Sequence, residues 1–301
     1  MAQPALDVFR SLDQALAAAV AAAAPAVVRV SRGRGGGTGI AWADDLVISS
    51  SFHSPDRTTV GVDTTDGSVD ARDAEVIGRD PGTDVALLRV AGGGLSPARF
   101  RELDGLAVGN LALAIGRPGR TARASLRAIG VLGPEVRTAW GGRLDRYVES
   151  DRQIPRGFAG GPLIDADGAV IGMNTRTLVR GADLAIPTIT LRRVVDELLA
   201  HGGVRRGYLG VGAYPAQLSS QLAQLVGRDR GALLASLEDG GPAATAGLLV
   251  GDILVEVDGT AITGPESLRA ALGDRPGETI KLVIVRGGAR HELAVTLGSK
   301  P

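Results

Sequence analysis

Gly157-Phe158-Ala159-Gly160-Gly161-Pro162-Leu163, continuing through Ile164-Asp165-Ala166-Asp167-Gly168 into Ala169-Val170-Ile171-Gly172-Met173-Asn174-Thr175, is the stretch around which the 301-residue chain is organised. Glycine at 157 permits a backbone conformation that a β-carbon would resist. Asp167-Gly168 is the kind of dipeptide that closes a two-residue hairpin, because glycine accepts positive φ without a steric cost. Ala169-Val170-Ile171 then reads as a short strand.

Outward from this stretch the chain reads as mainly β. Val27, Val28 and Val30 start a strand. Leu46-Val47-Ile48, Val60-Gly61-Val62, Glu75-Val76-Ile77, the run from Val85 to Val90, the run from Leu111 to Ile115 and Tyr147-Val148 are further candidates, separated by turn signals such as Asp66-Gly67. Many short strands without long helices between them favour a closed barrel or a sandwich over an alternating α/β sheet. Ahead of them, residues 5–24 read as an Ala-rich helix with Leu6, Phe9, Leu12, Leu16 and Val20 on one face, stopped by Pro25. Behind them, Leu191, Val194, Val195, Leu198 and Leu199 mark a second helix, which Thr190 can cap and Gly202-Gly203 can end.

A smaller unit follows. Thr263-Gly264-Pro265-Glu266 matches a capping box, and Leu268, Ala271 and Leu272 give the helix it starts an apolar face. A strand from Ile280 to Val285, a Gly287-Gly288 turn and a last strand from Glu292 to Val295 complete it.

Composition removes several function classes. Net charge is +0, from 33 basic and 33 acidic residues, so the chain lacks the long-range field of a general nucleic-acid or membrane-surface binder. Arg117, Arg120, Arg123, Arg127 and Arg137, against Glu135 alone, form a local exception, read either as solvated loops and strand edges or as a docking patch for an acidic partner. With no cysteine, thiol catalysis, Cys-based zinc sites and disulfides are excluded. The glycine run from Gly33 to Gly39 lacks the Gly-Lys-Ser/Thr ending of a phosphate loop and reads as a flexible hairpin. No cofactor and no metal is expected. The apolar run from Leu16 to Ala24 is far short of the roughly 20 residues of a membrane helix, and Arg10 and Asp13 make the segment before it a poor export signal. As written the chain reads as cytoplasmic; a trimmed export segment would leave the same sequence and a periplasmic or other extracytoplasmic location.

Several separate motifs carry a resemblance to a known family. These are Ala24-Pro25-Ala26-Val27-Val28, the run Gly78-Arg79-Asp80-Pro81-Gly82-Thr83-Asp84-Val85-Ala86-Leu87-Leu88, Ala114-Ile115-Gly116-Arg117-Pro118, the opening stretch, and Ala185-Ile186-Pro187. In this order they resemble the HtrA (DegP-like) proteases, and the likeness covers nearly the whole chain. It implies a chymotrypsin-like double β-barrel protease domain followed by a smaller α+β PDZ domain, divided as an N-terminal helical segment (1–24), a trypsin-like domain (25–203) and a PDZ domain (204–301).

The resemblance also assigns roles. His53 falls at the general base and Asp84 at the acid that orients it, in the chain order of chymotrypsin. The backbone N–H groups of Gly157 and of residue 159 fall at the oxyanion hole, and residues 154–158 with 173–175 at the walls of the specificity pocket. No acidic residue suits the base of that pocket, so a small or medium apolar side chain is the expected guest. Ser49-Ser50-Ser51-Phe52-His53-Ser54-Pro55 departs from the family through the bulky Phe52 and the early Pro55. In the second domain Tyr208, Leu209, Gly210 and Val211 match the carboxylate-binding loop, with Leu268 and Leu272 on the opposite wall of the groove.

The departure at the nucleophile matters most. Where the family carries serine this chain has Ala159, which offers no group to deprotonate or acylate. One reading is an HtrA-type endopeptidase of protein quality control, acting on unfolded or damaged proteins and here inactivated at the nucleophile. The other is a natural pseudoprotease, a peptide-binding scaffold or chaperone-like holder. Retention of His53, Asp84 and the glycines around a change of one oxygen atom favours the first. The expected partners are unfolded or misfolded proteins and C-terminal peptides, in a homotrimer built through the barrel domain and the N-terminal segment, with no nucleic acid and no membrane segment.

Overall fold

The computed structural model describes residues 3–32, 35–54, 57–63, 68–138, 140–179 and 182–300. Gly33, Pro55 and the Asp66-Gly67 turn lie outside the described residues. The chain divides into two compact units: Met1–Val136 with Leu144–Gly203, and Arg137–Arg143 with Val204–Pro301. The stretch Arg137–Arg143, within the span expected for the first domain, thus groups with the second unit.

The first unit holds two closed six-stranded barrels. Strands β1 (Val27–Arg32), β2 (Gly35–Ala41), β3 (Leu46–Ser50), β4 (Arg57–Asp63), β5 (Val69–Asp80) and β6 (Val85–Val90) close in the order β1-β2-β3-β6-β5-β4. Alternation along the strands turns Val28, Val30, Val47, Val60 and Leu88 into one apolar core. The second barrel comprises β7 (Leu111–Gly116), β8 (Arg123–Gly133), β9 (Tyr147–Ser150), β10 (Pro162–Ile164), β11 (Val170–Val179) and β12 (Ala182–Pro187), in the order β9-β12-β11-β10-β7-β8. Its core includes Ile129, Val148, Ile154, Phe158, Leu163 and Ile171. Closure leaves neither sheet an open edge.

Helix α1 (Gln3–Ala23) ends where Pro25 requires, but its buried face differs from the expected one. Leu6, Phe9 and Leu12 are exposed, whereas Ala19 and Ala23 are buried. Small residues allow close approach: a Cβ at Gly168 would lie 2.8 Å from the Ala19 carbonyl oxygen. Helix α2 (Thr188–His201) follows the second barrel and ends at Gly202, whose φ of 70° suits glycine and whose N–H reaches the Leu198 carbonyl. Thr190 does not cap it. Its buried hydroxyl instead bonds the Asp145 carboxylate at 2.8 Å, because the helix starts two residues earlier, after Pro187. Of the arginine cluster, Arg120 and Arg123 are exposed, as solvated loops and strand edges would have them, whereas Arg117 and Arg127 are buried and Arg137 groups with the second unit.

In the second unit a sheet runs in the order β13 (Val211–Gln217), β14 (Arg230–Leu237), β15 (Ile253–Val257), β16 (Thr279–Arg286), β17 (Ala289–Thr296). Helices α3 (Ser220–Val226), α4 (Pro242–Thr245) and α5 (Pro265–Leu272) accompany it. Gly287 and Gly288, both at positive φ, close the β16–β17 hairpin as expected. The capping box of α5 sits one residue later than Thr263…Glu266: the Ser267 hydroxyl accepts the N–H groups of Thr263 (2.8 Å) and Gly264 (3.1 Å). Serine at the third helical position reaches back where Glu266 does not.

Asp252 ties this unit together. It is 1 % exposed, takes a two-pronged bond from Arg286 (2.7 and 2.7 Å) and accepts the Leu249 N–H at 2.8 Å. Burial alone would raise its pKa, but the Arg286 bonds, the Leu249 N–H and the Arg286 charge outweigh it and hold the carboxyl below its ordinary value. A depressed folded-state pKa contributes stability above the unfolded value and loses it as pH falls through the folded one. Asp252→Ala is expected to destabilise the unit by about 3 kcal/mol, and the wild-type unit is expected to weaken as pH drops below the ordinary carboxylate range. Hydrogen-exchange mass spectrometry of β14 and β15 in the intact chain checks both. Unchanged protection in the variant contradicts the assignment.

Candidate active site and peptide groove

The site lies where the two barrels meet. At the end of β5 the buried Asp80 carboxylate accepts the N–H groups of Gly82 (3.1 Å) and Thr83 (3.2 Å) and the Thr83 hydroxyl (2.6 Å). That turn delivers Asp84 in the left-handed region, at φ 58°, which aspartate tolerates better than most residues. Asp84 is fully buried, and its carboxylate is well supplied with donors. Oδ1 accepts the hydroxyls of Ser50 (2.7 Å) and Ser51 (3.2 Å) and the Phe52 N–H (3.2 Å); Oδ2 accepts the Thr175 hydroxyl at 2.6 Å from the second barrel. His53 ends the short 3-10 turn Ser51–His53, directly after the residue whose N–H Asp84 holds. Only the backbone of His53 is among the described atoms.

The glycine-rich turn faces this corner, and its glycines are imposed by contact. A Cβ at Gly160 would lie 2.3 Å from the Thr38 carbonyl oxygen, and one at Gly161 2.2 Å from that of Ile115. At Gly157, φ is 83° and a Cβ would meet Pro118 at 2.5 Å. Hydrogen bonds fix the turn from both sides: Phe158 N–H to Pro155 (3.2 Å), Gly160 N–H to Asn174 (2.8 Å), and Asn174 N–H back to Gly161 (2.8 Å). The Thr38 hydroxyl, from the first barrel, donates to the Gly157 carbonyl at 2.6 Å and accepts the Arg117 N–H at 2.7 Å. The N–H groups of Gly157 and Ala159 donate to no described group. Beyond the turn, the Asp167-Gly168 connection is longer than two residues: Ile164 pairs with Val170, and Asp165 Oδ1 accepts the N–H groups of Asp167 and Ala169, each at 2.9 Å.

Behind the turn, Ile154 and Phe158 are buried in the second-barrel core, which makes that wall apolar. An acid does stand near it: Asp183 accepts the Ile154 N–H at 2.6 Å and lies 3.6 Å from Arg176. Its charge is therefore already engaged.

The second unit presents a groove of 450 Å³. β13 is an edge strand, paired with β14 on one side. The turn Tyr208-Leu209-Gly210, with Gly210 at φ 76°, lies at one end, and Val211, Leu268 and Leu272 are among the lining residues. Trp140, Gly141, Arg206 and Arg269 line it too. No signal in the sequence marked Trp140 and Gly141, which sit far along the chain from the other lining residues. The hydroxyls of Thr38, Ser50 and Ser51 were likewise invisible as site residues, and Thr175, expected at the wall of the specificity pocket, instead turns its hydroxyl to Asp84, since a serine or threonine carries no mark of its partner.

A pair of closed barrels meeting at a buried, hydroxyl-fed aspartate and a glycine turn is the frame of a trypsin-like serine peptidase, and an edge strand facing a helix is that of a peptide-binding module. The trypsin-like peptidase domain family matches residues 37–173 and the PDZ domain family residues 207–297. A probable periplasmic serine endoprotease DegP-like from Ectopseudomonas mendocina is 35% identical over 267 residues, spanning 86% of this chain and 55% of its own length. Its namesake from Brucella suis is 31% identical over 283 residues, spanning 88% and 53%. This chain thus spans about half the length of these curated relatives. Among solved structures, the HtrA-type protease AlgW with a decapeptide is similar at TM-score 0.67 and 26% identity, covering 95% of this chain and 99% of that one. The serine endoprotease from Yersinia pestis is similar at TM-score 0.66 and 26% identity, covering 95% and 98%. The chain belongs to the HtrA/DegP-like family of trypsin-fold proteases, and its second unit is a PDZ domain.

Thr175→Val removes the donor to Asp84 Oδ2 and leaves a buried carboxylate oxygen short of a partner. The expected loss is about 1–3 kcal/mol of first-unit stability, read as a lower urea midpoint, with Thr175→Ser restoring most of it. A Val variant as stable as the parent contradicts the network.

Proposed function

We propose that the chain is an HtrA-type serine endopeptidase of protein quality control in a form inactivated at its nucleophile. One observation supports this above the others: the Asp84 carboxylate is held by four donors from both barrels, beside the backbone of His53 and opposite the glycine turn. With serine at 159, its oxygen would attack a peptide carbonyl carbon. His53 would take the hydroxyl proton and pass it to the departing amine, while Asp84 stabilised the imidazolium. The Gly157 and Ala159 N–H groups would receive the carbonyl oxygen as it became negative. Alanine removes only the attacking atom, so unfolded or damaged polypeptide would be held at the turn and not cut.

The second unit would capture C-termini. An extended peptide adds a strand along the open edge of β13, with its carboxylate at the Tyr208-Leu209-Gly210 turn. A homotrimer fits the exposed Leu6, Phe9 and Leu12 of α1, and an extracytoplasmic location fits the DegP-like relatives, which are described as probable periplasmic endoproteases. No described helix is long and apolar enough to cross a membrane.

Ala159→Ser tests the catalytic half. Casein cleavage is expected to rise at least ~10³-fold above the parent chain, with labelling by an active-site phosphonate. A serine variant that neither cleaves casein nor takes the label leaves the pseudoprotease scaffold as the function. For the groove, peptides with an apolar last residue are expected to bind, and amidation of their C-terminus to weaken them about tenfold or more, since a charge-assisted bond is lost. Equal affinity for free and amidated peptides removes the groove assignment.

A further inference from the structure

The groove of the second unit carries an uneven set of charges. Of the residues lining it, the charged ones are Arg206 and Arg269, both positive. Arg206 lies 3.9 Å from Asp274 and so has an acid of its own. Arg269 is exposed, and no described residue pairs with it.

Geometry says which ligand residue would meet that charge. The Gly207 N–H bonds the Gly273 carbonyl at 2.8 Å, which fixes the C-terminal end of α5 beside the carboxylate-binding turn. At the other end, a Cβ on Gly264 would lie 3.7 Å from Pro215, so the helix start lies beside the far part of β13. A peptide whose C-terminus occupies the turn therefore runs antiparallel to β13 and along α5 from Leu272 toward Pro265. Alternate side chains of a strand point to one face, about 6.6 Å apart. At about 1.5 Å of rise per residue, Leu268 and Arg269 stand roughly 6 and 4.5 Å along the helix from Leu272. The last side chain of the peptide then faces Leu272, and the third from the end faces Leu268 and Arg269. Leu268 is buried against the core, while Arg269 lines the groove and is exposed.

We propose that Arg269 makes this groove selective for C-terminal segments that carry an acidic side chain at the third residue from the end, together with an apolar last residue. The inference rests on reading the groove as a C-terminal peptide site. The ligand's two charges are received by different chemistry: the terminal carboxylate by backbone N–H groups, the side-chain carboxylate by a guanidinium that can take it through two parallel bonds.

The test uses the intact chain and two fluorescein-labelled decapeptides ending in Glu-Ala-Val or Gln-Ala-Val, measured by fluorescence anisotropy. The expected result is about three- to fivefold tighter binding of the glutamate peptide at low ionic strength, the range of an exposed ion pair, narrowing as salt is added. In Arg269→Gln the two peptides are expected to bind alike, and in Arg269→Glu a Lys-Ala-Val peptide is expected to bind better than the glutamate one. Circular dichroism confirms that each variant is folded. Equal binding of the glutamate and glutamine peptides to the parent chain, or a preference that survives Arg269→Gln, overturns the inference while leaving the groove assignment intact. If neither peptide binds, the groove assignment fails and the inference falls with it.

Discussion

The first unit depends on a constraint of space at the junction of its barrels. Gly160 and Gly161 leave no room for a side chain, since a Cβ on either would overlap the carbonyl oxygen of Thr38 or Ile115. At Gly160 backbone therefore packs on backbone across the junction, while Gly161 packs on Ile115 within the second barrel, and Thr38 converts the first contact into direction. Its hydroxyl spans from the Gly157 carbonyl to the Arg117 N–H, while its own carbonyl accepts the Ser49 hydroxyl at 2.8 Å. One residue of the first barrel thus orients the peptide group that leads into position 158. Any shift of one barrel against the other would strain these bonds together.

The second tie across the junction is Asp84. Burying a carboxylate is costly unless donors replace its water, and four donors do so here, Thr175 from the far barrel among them. This network does not involve residue 159. A change from hydroxyl to methyl at 159 therefore leaves the fold's electrostatic balance intact, and the chain has a structural reason to keep Asp84 that is separate from catalysis.

The sequence made visible the parts in which backbone geometry dictates residue type. Gly157, Gly160 and Gly161, the Gly202 helix end and the Gly287-Gly288 turn were legible because glycine is the residue most favoured at positive φ and the one that fits a contact below van der Waals distance. The β character and the barrel strands followed from short apolar runs between turns. Partner choice was not legible. Thr190 looked like a helix cap yet serves Asp145, because propensity cannot show that the helix begins two residues earlier. The apolar stripe of α1 looked like its buried face, yet alanines fill that role, since close approach to Gly168 favours small residues over large ones. Thr175 and Trp140 depend on contacts between segments distant in sequence, which leave no local pattern.

The two candidate sites share a division of labour that explains this difference. In each, the group common to every polypeptide, a carbonyl oxygen at the turn of residues 157–159 or a terminal carboxylate at the turn of residues 208–210, would be met by backbone N–H groups placed by glycines at positive φ. Recognition of a universal group needs no variable side chain, so it appears as a motif. Whatever distinguishes one polypeptide from another must then fall to side chains around those turns: the apolar wall of Ile154 and Phe158 in one site, Leu272 and Arg269 in the other. These are free to differ without disturbing the glycine geometry. On the proposed reading, general peptide capture would belong to the backbone of the motifs, while selectivity would belong to the side chains around them.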